Sequence, residues 1–369
     1  MNRTLRKVAV RGSAAMVAIA LLAACGSNSV KADGSSAGAE KGPAYEAVKA
    51  HSATPTETGL TGPLSKKPAA GLHVDFLACA LPVCEQQSKY FTQGAEKLGW
   101  STKVISFQQT PEALQSAFDT AISDKPDGVV VSGFPVAAYA EKLAKLNQMG
   151  IPVVDYATTN PVGNGIIAVA GDDTTVKYGE YQAEWIAADS KGKAHVIMFN
   201  TPDFPVQVKL QDALKERLAA LCSGCTFDSV DIALSDLGPD LPNRVVSEVQ
   251  RKPDTNYIVL GFADLGAGVP AALKNADLNV KIATAGPQQA TFQEIMDGNI
   301  AMVAAQPQEE QQWCLVDALA RHNVGDPVPP NACDLPSQIL TKANVTEAWA
   351  TWPGVPGWKD KFLAAWHVS

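Results

Sequence analysis

The sequence lacks an excess of positive charge and lacks any apolar run long enough to cross a bilayer. Its 38 acidic residues outnumber 30 basic ones, which gives a formal net charge of -8 at pH 7. Nucleic acids and anionic membrane surfaces are bound through basic patches, so neither is expected as a partner. The most apolar run, 14–22, is shorter than the roughly 20 residues that a spanning helix needs.

The sequence is also poor in the residues and motifs of enzymes. Its histidines are scattered, and no pair has the spacing of metal ligands or of a nucleophile and its base: His51, His73, His195, His322 and His367. It contains no nucleophile elbow, phosphate-binding loop or dinucleotide fingerprint. We therefore expect no enzymatic activity, no cofactor and no metal, although a site assembled from distant residues leaves no such motif.

The N-terminus has the order of an export signal. A basic start precedes the apolar run, and the run ends in Leu22-Ala23-Ala24-Cys25-Gly26, which looks like a bacterial lipobox. We predict that residues 1–25 are a lipoprotein signal and that Cys25 is lipidated, anchoring the protein to the outer face of the membrane. The alternative is an ordinary cleaved signal in which Cys25 is incidental.

The next segment, 26–70, is rich in Ser, Gly, Ala and Lys. Such a composition buries little apolar surface, so we predict a flexible tether with a helical turn at 44–50. From about Gly71 onward the regular apolar runs of a folded body begin.

Six cysteines remain after Cys25, and an even number in an exported protein suggests three disulfides. Sequence proximity favours local pairs: Cys79 with Cys84, Cys222 with Cys225, and Cys314 with Cys333. Sequence alone does not fix this connectivity. A redox role for Cys222-Ser223-Gly224-Cys225 is the alternative, but redox motifs of this spacing open a helix, whereas this one closes a predicted helix.

Short β-branched runs alternate with helical patterns along the folded body, which is typical of βαβ units. The predicted strands lie at 72–78, 102–107, 128–131, 152–155, 166–170, 195–199, 227–232, 257–260, 280–284 and 300–304. The predicted helices lie at 85–98, 111–123, 137–149, 175–190, 206–221, 243–251, 267–275, 290–297 and 309–322. This predicts an α/β protein of two doubly wound, three-layer αβα lobes with parallel sheets, which bind ligands at the carboxyl ends of strands.

Several short motifs occur in a characteristic order: Glu96-Lys97-Leu98-Gly99-Trp100, Lys125-Pro126-Asp127-Gly128, Gly150-Ile151-Pro152, Gly171-Asp172-Asp173, Lys252-Pro253-Asp254, and Asp297-Gly298-Asn299-Ile300 before Gln306-Pro307. In this order and spacing the chain resembles the type 1 periplasmic-binding-protein superfamily, which includes ribose- and galactose-binding receptors of ABC importers. The resemblance spans roughly residues 72–324.

The resemblance implies a monomeric receptor that closes over a small-molecule solute and delivers it to ABC permease subunits. It implies an N-terminal lobe of 71–171 plus about 306–332, and a C-terminal lobe and tail of 172–305 plus about 333–369. Crossings between the lobes are expected near Gly171-Asp172, near Ala305-Gln306 and after Pro330. A few backbone dihedrals at such crossings absorb lobe closure.

Positions that bind sugar in the relatives carry different residues here. After the first strand the sugar-binding relatives have an Asn, a Pro and two aromatic residues, whereas this sequence has Leu81, Pro82, Val83 and Cys84. Only the proline is kept. After the fourth strand Asp155 is kept as the acidic residue, and Tyr156 stands in place of the arginine that follows it. The predicted ligand contacts are Leu81, Pro82, Val83, Phe134, Asp155, Tyr156, Asn200, Asp203, Phe204, Val208, Asp236, Phe262, Asp264, Gln288 and Gln306. For the three phenylalanines a core position is an equal alternative, and Asp264 is equally suited to capping a helix.

This cleft fits a partly apolar, aromatic or alicyclic solute better than a sugar, because each unpaired buried hydroxyl costs roughly 1 to 3 kcal/mol. A sensory receptor for a membrane kinase or chemoreceptor is an alternative that the sequence does not separate from import. A sugar-responsive repressor is disfavoured, since a signal and tether stand where its helix-turn-helix belongs. The tryptophan-rich C-terminal tail is expected to pack on the body, with permease docking as the alternative.

Overall fold

The computed structural model describes residues 42–108, 110–329 and 332–368, so the predicted signal, Cys25 and the first part of the tether lie outside the described residues. The first sheet is 5-stranded, and its strands are β1 (His73–Cys79), β2 (Ser101–Phe107), β3 (Gly128–Ser132), β4 (Val153–Tyr156) and β5 (Ile166–Ala170). They pair in parallel in the order β2-β1-β3-β4-β5.

The second sheet is 6-stranded, with strands β6 (His195–Asn200), β7 (Thr226–Asp231), β8 (Tyr257–Leu260), β9 (Lys281–Ala285), β10 (Met302–Ala305) and β11 (Gln338–Leu340). Their order is β11-β10-β9-β8-β6-β7, and β11 alone runs antiparallel to its neighbour. Both sheets have the buried, β-branched strands that helices on two faces require. The prediction of two doubly wound α/β lobes is confirmed.

The helices of the described chain are α1 (Pro43–His51), α2 (Pro82–Lys97), α3 (Pro111–Asp124), α4 (Ala140–Gln148), α5 (Asp172–Asp189), α6 (Pro205–Leu221), α7 (Leu241–Arg251), α8 (Val269–Asn275), α9 (Gln289–Asp297), α10 (Gln308–Val324) and α11 (Trp358–Ala365). Proline opens α2 and α6 within a few residues of a strand end. Its fixed φ suits a first helical turn, so these helices begin at the sheet edge.

The chain passes between the lobes after β5 and after β10, and Pro330, after which a third crossing was predicted, lies outside the described residues. It leaves β5 of the first sheet at Gly171 and enters α5. The φ of Gly171 is 107°, a backbone conformation that favours glycine. It leaves β10 of the second sheet at Gln306 and enters α10, which packs on α2 and β5 of the first lobe. It then returns to form β11. These contacts support the predicted lobe boundaries, which stay a prediction.

The C-terminal tail differs from its prediction, because it divides between the lobes instead of joining the second alone. Val345 and Trp352 pack in the core of the second lobe. Farther on, α11 packs in the first lobe, where Trp366 stacks on Trp313 of α10 at 5.3 Å between ring centroids. The Trp366 Nε1–H also donates to Oδ1 of buried Asp317 at 2.8 Å. Through this aromatic cluster, the end of the tail packs on the first lobe.

The prediction of a flexible tether through residue 70 is wrong for residues 42–70, here called the strap. Its α1 packs on α5 of the second lobe, where His51 stacks on Tyr181 at 4.2 Å and contacts Oε2 of Glu184 at 2.7 Å. Its later part crosses to the first lobe, where Leu64 is 3% exposed in the core. Single apolar residues such as Leu64 anchor the strap, although its overall composition is that of a linker.

The three predicted disulfides are confirmed as Cys79–Cys84, Cys222–Cys225 and Cys314–Cys333. In the described part of the chain, no helix combines the length and apolarity required to span a bilayer. The same residues contain no cluster of three or more His, Cys, Asp or Glu side chains placed to hold a metal.

Candidate functional site

A cavity lies where the carboxyl ends of strands from both sheets meet. The first lobe lines it with Cys79, Leu81, Val83, Cys84, Gln87, Ser132, Gly133, Tyr156 and Ala157. The second lobe lines it with Phe204, Val206, Gln207, Gly261, Phe262, Ala263, Asp264, Ala285 and Gly286. The crossings and the first turns of α5 and α10 supply Gly171, Thr175, Tyr178, Gln306, Gln308 and Gln311. Ligands bind at this place in doubly wound sheets.

The cavity has a volume of about 140 Å³, which is the space open to the centres of water molecules. One water needs about 10–15 Å³ of that measure, so the space holds on the order of ten waters, the size of a small organic ring compound. Its walls are mainly apolar. Leu81, Val83 and the Cys79–Cys84 disulfide form one wall, and Phe204 and Phe262 form another in a T-shaped pair with ring centroids 6.2 Å apart.

Carboxamides supply half of the polar residues that line the cavity. Gln87, Gln207 and Gln306 are each less than a tenth exposed, and the Oε1 atom of each is buried without a hydrogen-bond partner. Asn200 lies behind Gln207 and donates through Nδ2 to its backbone carbonyl at 2.9 Å. A buried acceptor without a partner costs free energy, so these oxygens are suited to accepting hydrogen bonds from a ligand.

Asp264 is the carboxylate of the cavity wall. The Nε2 group of Gln288 donates to its Oδ1 at 3.0 Å, while its Oδ2 is buried without a partner. Burial raises the pKa of the Asp264 carboxyl, and the hydrogen bond from Gln288 opposes that rise. Burial also raises the pKa of Tyr156 and of Tyr178, so both phenols remain protonated at neutral pH.

A family model described as a periplasmic binding protein domain matches residues 82–327, well over half of the chain. The chain belongs to this family. The predicted resemblance to type 1 periplasmic binding proteins is therefore confirmed, and the cavity lies where such a protein encloses its solute. A search of curated proteins found no match.

Several solved structures have a similar fold. An ABC sugar transporter subunit from Rhodobacter sphaeroides 2.4.1 has a TM-score of 0.65 at 21% identity, over 74% of this chain and 99% of that one. The glucose-galactose binding protein GanP from Geobacillus stearothermophilus has 0.66 at 18%, over 75% and 99%. The XylFII–LytSN complex has 0.66 at 16%, over 75% and 100%. At these identities the likeness establishes the fold alone.

The structure of this periplasmic binding protein brings part of the predicted contact set together. The residues that line the cavity are Leu81, Val83, Tyr156, Phe204, Phe262, Asp264 and Gln306. Gln288 does not line the cavity, but it donates a hydrogen bond to Asp264, which does. Asn200 does not line the cavity either, and it donates a hydrogen bond to the backbone carbonyl of Gln207, which does. Pro82 opens α2 beside the cavity without lining it.

Asp155 is not in the cavity, contrary to the prediction. Its carboxylate is fully buried on the other side of the sheet and accepts hydrogen bonds at Oδ2 from Tyr139, Thr158 and Asn160 at 2.6–3.0 Å. Burial raises its pKa to about 7. Since successive side chains in a strand point to opposite faces, Tyr156 faces the cavity and Asp155 does not.

The other predicted contacts also lie away from the cavity. Phe134 packs on Phe107 at 5.8 Å between ring centroids. Asp203 is exposed and accepts a hydrogen bond from the backbone of Leu234 at 2.9 Å. Asp236 forms a surface ion pair with Arg244, and Val208 is 41% exposed on α6. Phe134, Asp203 and Val208 are each adjacent in sequence to a lining residue, whereas Asp236 lies in the segment after β7, which contributes none.

The glutamines of α10 and the polar residues of α5 were missed. Gln308 and Gln311 lie three apart at the start of α10, and Thr175 and Tyr178 have the same spacing in α5. Residues three apart share one face of a helix, so the first turns after two predicted crossings present these side chains together. That spacing was the signal available in the sequence.

Proposed function

We propose that the protein captures a small, partly apolar organic solute between its lobes and delivers it to an ABC permease, without itself being an enzyme. The observation that carries this proposal is the cavity itself, which is formed by strand ends of both sheets and the crossings between them. A molecule enclosed there contacts both lobes at once and therefore favours their closed arrangement.

The lining favours an apolar ligand body over a sugar. Phe204, Phe262, Leu81 and Val83 offer no hydrogen bonds, and a sugar hydroxyl placed against them loses its water without replacement. An aromatic or alicyclic ring gains about 25 cal/mol for each Å² of apolar surface that leaves water. Two of the similar structures carry names for sugar binding, so simple sugars are the comparison ligands.

The ligand proposal is tested by native mass spectrometry of co-purified molecules and by thermal-shift screening of matched sugars and ring compounds. We expect aromatic or alicyclic compounds to raise the melting temperature and to reduce the radius of gyration in X-ray scattering. Stabilisation by pentoses or hexoses, with none by aromatic or alicyclic compounds, would reject the proposed ligand class while keeping the proposal of solute capture. A ligand that binds without any change in scattering would contradict closure.

We also propose that Cys25 carries the lipid that holds the protein outside the cytoplasmic membrane. The lipobox and the basic, apolar start of the sequence support this. The expected result is incorporation of labelled fatty acid into the protein in cells and its loss in a Cys25→Ser variant. Unlabelled protein that is nevertheless exported would favour an ordinary cleaved signal.

Sensing is the second candidate, because a protein of this fold occurs in the XylFII–LytSN complex. Both roles use the surface of the closed form. Uptake and transcription measured in a deletion strain separate the two. Import predicts lost uptake of the captured solute, whereas sensing predicts normal uptake capacity with an altered transcriptional response.

A further inference from the structure

The ionisable groups around the cavity determine which ligand charge it accepts. Among the lining residues, all of which are in the described part of the chain, none is Lys, Arg or His. Asp264 is their single carboxylate, and the only other titratable side chains among them are the protonated phenols of Tyr156 and Tyr178. A ligand carboxylate or phosphate would meet a like charge and no cation.

Asp264 lines the cavity and has one carboxylate oxygen without a hydrogen-bond partner. Gln288 donates to Oδ1 at 3.0 Å, which fixes the plane of the carboxylate and leaves Oδ2 buried and unpaired. A buried carboxylate oxygen is stabilised most by a charged N–H donor, because charge-assisted hydrogen bonds are about twice as strong as neutral ones. The carboxylate therefore selects for a donor that carries positive charge.

Three carboxamide oxygens of the lining can also accept hydrogen bonds, beside hydroxyls that can donate or accept. The Oε1 atoms of Gln87, Gln207 and Gln306 are buried without partners. The Asn200 amide is oriented by donating to the Gln207 backbone carbonyl and to Gln211, so its oxygen points toward Gly261 beside Gln207. A protonated amine offers two or three N–H groups, and these carboxamide oxygens are acceptors for the N–H groups that do not bind Asp264.

We propose that the solute is a small organic cation, a protonated primary or secondary amine on an apolar ring body, whose ammonium group binds Asp264. This rests on the proposed function, because it names the ligand class of the same cavity. Leu81 and Val83 enclose the ring body from the first lobe, and Phe204 and Phe262 enclose it from the second. Aromatic faces close to an ammonium group add to its binding.

The test uses calorimetry on the purified protein with probes that share one body and differ in head group: 2-phenylethylamine, 2-phenylethanol and phenylacetate. We expect the amine to bind at least ten-fold more tightly than the alcohol, and phenylacetate to show no binding. The same series on a cyclohexyl body gives the same order. Equal binding of amine and alcohol, or no binding by any probe, would overturn the inference.

An Asp264→Asn variant isolates the carboxylate while keeping its size. The amine affinity is expected to fall roughly ten- to hundred-fold, the range for a hydrogen bond to a charged group, and the alcohol affinity to change less than three-fold. Asp203→Asn is the matched control, because Asp203 is an exposed carboxylate outside the cavity. An Asp264→Asn protein that binds the amine like the parent would contradict the assignment.

Failure of this inference is distinguishable from failure of the proposed function. If D-galactose or 2-phenylethanol binds tightly and reduces the radius of gyration, solute capture stands and the cation assignment falls. If the amine binds but the radius of gyration does not change, the cation site stands and closure around the solute falls.

Discussion

The backbone N–H of Gly59 donates a 2.7 Å hydrogen bond to Oε1 of Glu310, which joins residues 251 apart in the sequence. Glu310 is fully buried at the start of α10, and burial raises its pKa to about 7. An exposed linker residue would make no such contact. The bond shows that the strap is part of the folded body and that a titrating group lies beneath it.

The pH dependence of stability follows from Glu310. Its folded pKa of about 7 lies above the ordinary value of 4.5, so the folded state binds the proton more tightly. Its contribution is fully present below pH 4.5 and is lost as the pH rises through 7, on the order of 3 kcal/mol. Glu310→Gln keeps an acceptor for Gly59 and is expected to flatten this part of the curve in denaturant titrations from pH 5 to 8.

The matched control for Glu310 is Glu57→Gln, which removes an exposed carboxylate from the same strap. We expect its stability curve to run parallel to that of the parent. If Glu310→Gln retained the full pH dependence, the raised pKa of Glu310 would be refuted.

Anchoring of the strap is tested at Leu64. Replacement by Ala removes a side chain that is 3% exposed in the first core and should lower the free energy of unfolding by about 2 to 4 kcal/mol. Lys67→Ala, on an exposed residue three positions on, should change it by less than about 0.5 kcal/mol. Equal, small effects of both changes in chemical denaturation would indicate that the strap does not stabilise the body.

The strands β1 to β10 and the helices α2 to α10 were predictable because each combines an apolar pattern with clear turn signals, whereas β11 and α11 were not predicted. The strap was not, since its anchors are isolated residues such as Leu64 and His51 whose partners lie far away in sequence. The division of the tail has the same cause, because Trp352 and Trp366 look alike in the sequence but pack in different cores. The packing of these segments is determined by their tertiary contacts and not by local sequence propensity.

The sequence predicted which loops form the site more accurately than which side chains line it. The carboxyl ends of β1 to β10 were located to within about one residue, which placed Leu81, Phe204 and Phe262 at the cavity. Which of two adjacent residues faces inward depends on the exact register at a strand end, and this separated Tyr156 from Asp155. The sequence prediction took Asp155 because the relatives use an acidic residue there.

Asp155→Asn is expected to leave ligand binding intact. Its carboxylate is buried with Tyr139, Thr158 and Asn160 outside the cavity, so the change should lower stability by about 1 to 3 kcal/mol. Affinity for 2-phenylethylamine should stay within two-fold by calorimetry. A ten-fold loss of affinity at unchanged stability would return Asp155 to the binding site.

Gly133 tests the close approach of the lobes. Its φ is 75°, and an added Cβ would lie 3.2 Å from Cε1 of Phe204 in the other lobe. Gly133→Ala should lower affinity for 2-phenylethylamine about ten-fold, equivalent to about 1.4 kcal/mol. Gly150→Ala is the control, since Gly150 has a φ of 74° with no atom within 4 Å of the added Cβ. It carries the same backbone strain and should leave affinity unchanged.

The Cys79–Cys84 disulfide should matter for the cavity more than for the fold. Serine at both positions releases the loop that carries Leu81 and should weaken binding of 2-phenylethylamine, while stability falls by about 2 kcal/mol. Serine at Cys222 and Cys225 should cost similar stability, because that loop is also short, and leave calorimetric affinity unchanged. Equal affinity in both double variants would show that the disulfide only staples the chain.

Docking of the strap would also limit how far the protein reaches from the proposed lipid anchor. With a lipid on Cys25, about 17 residues precede the strap, and at 3.3–3.6 Å each their contour length is about 60 Å. A linker that ran free to residue 70 would extend to about 160 Å. With the proposed lipid, the tether between Cys25 and the strap would be short, and it would keep the protein at a high effective concentration beside a membrane complex that it serves.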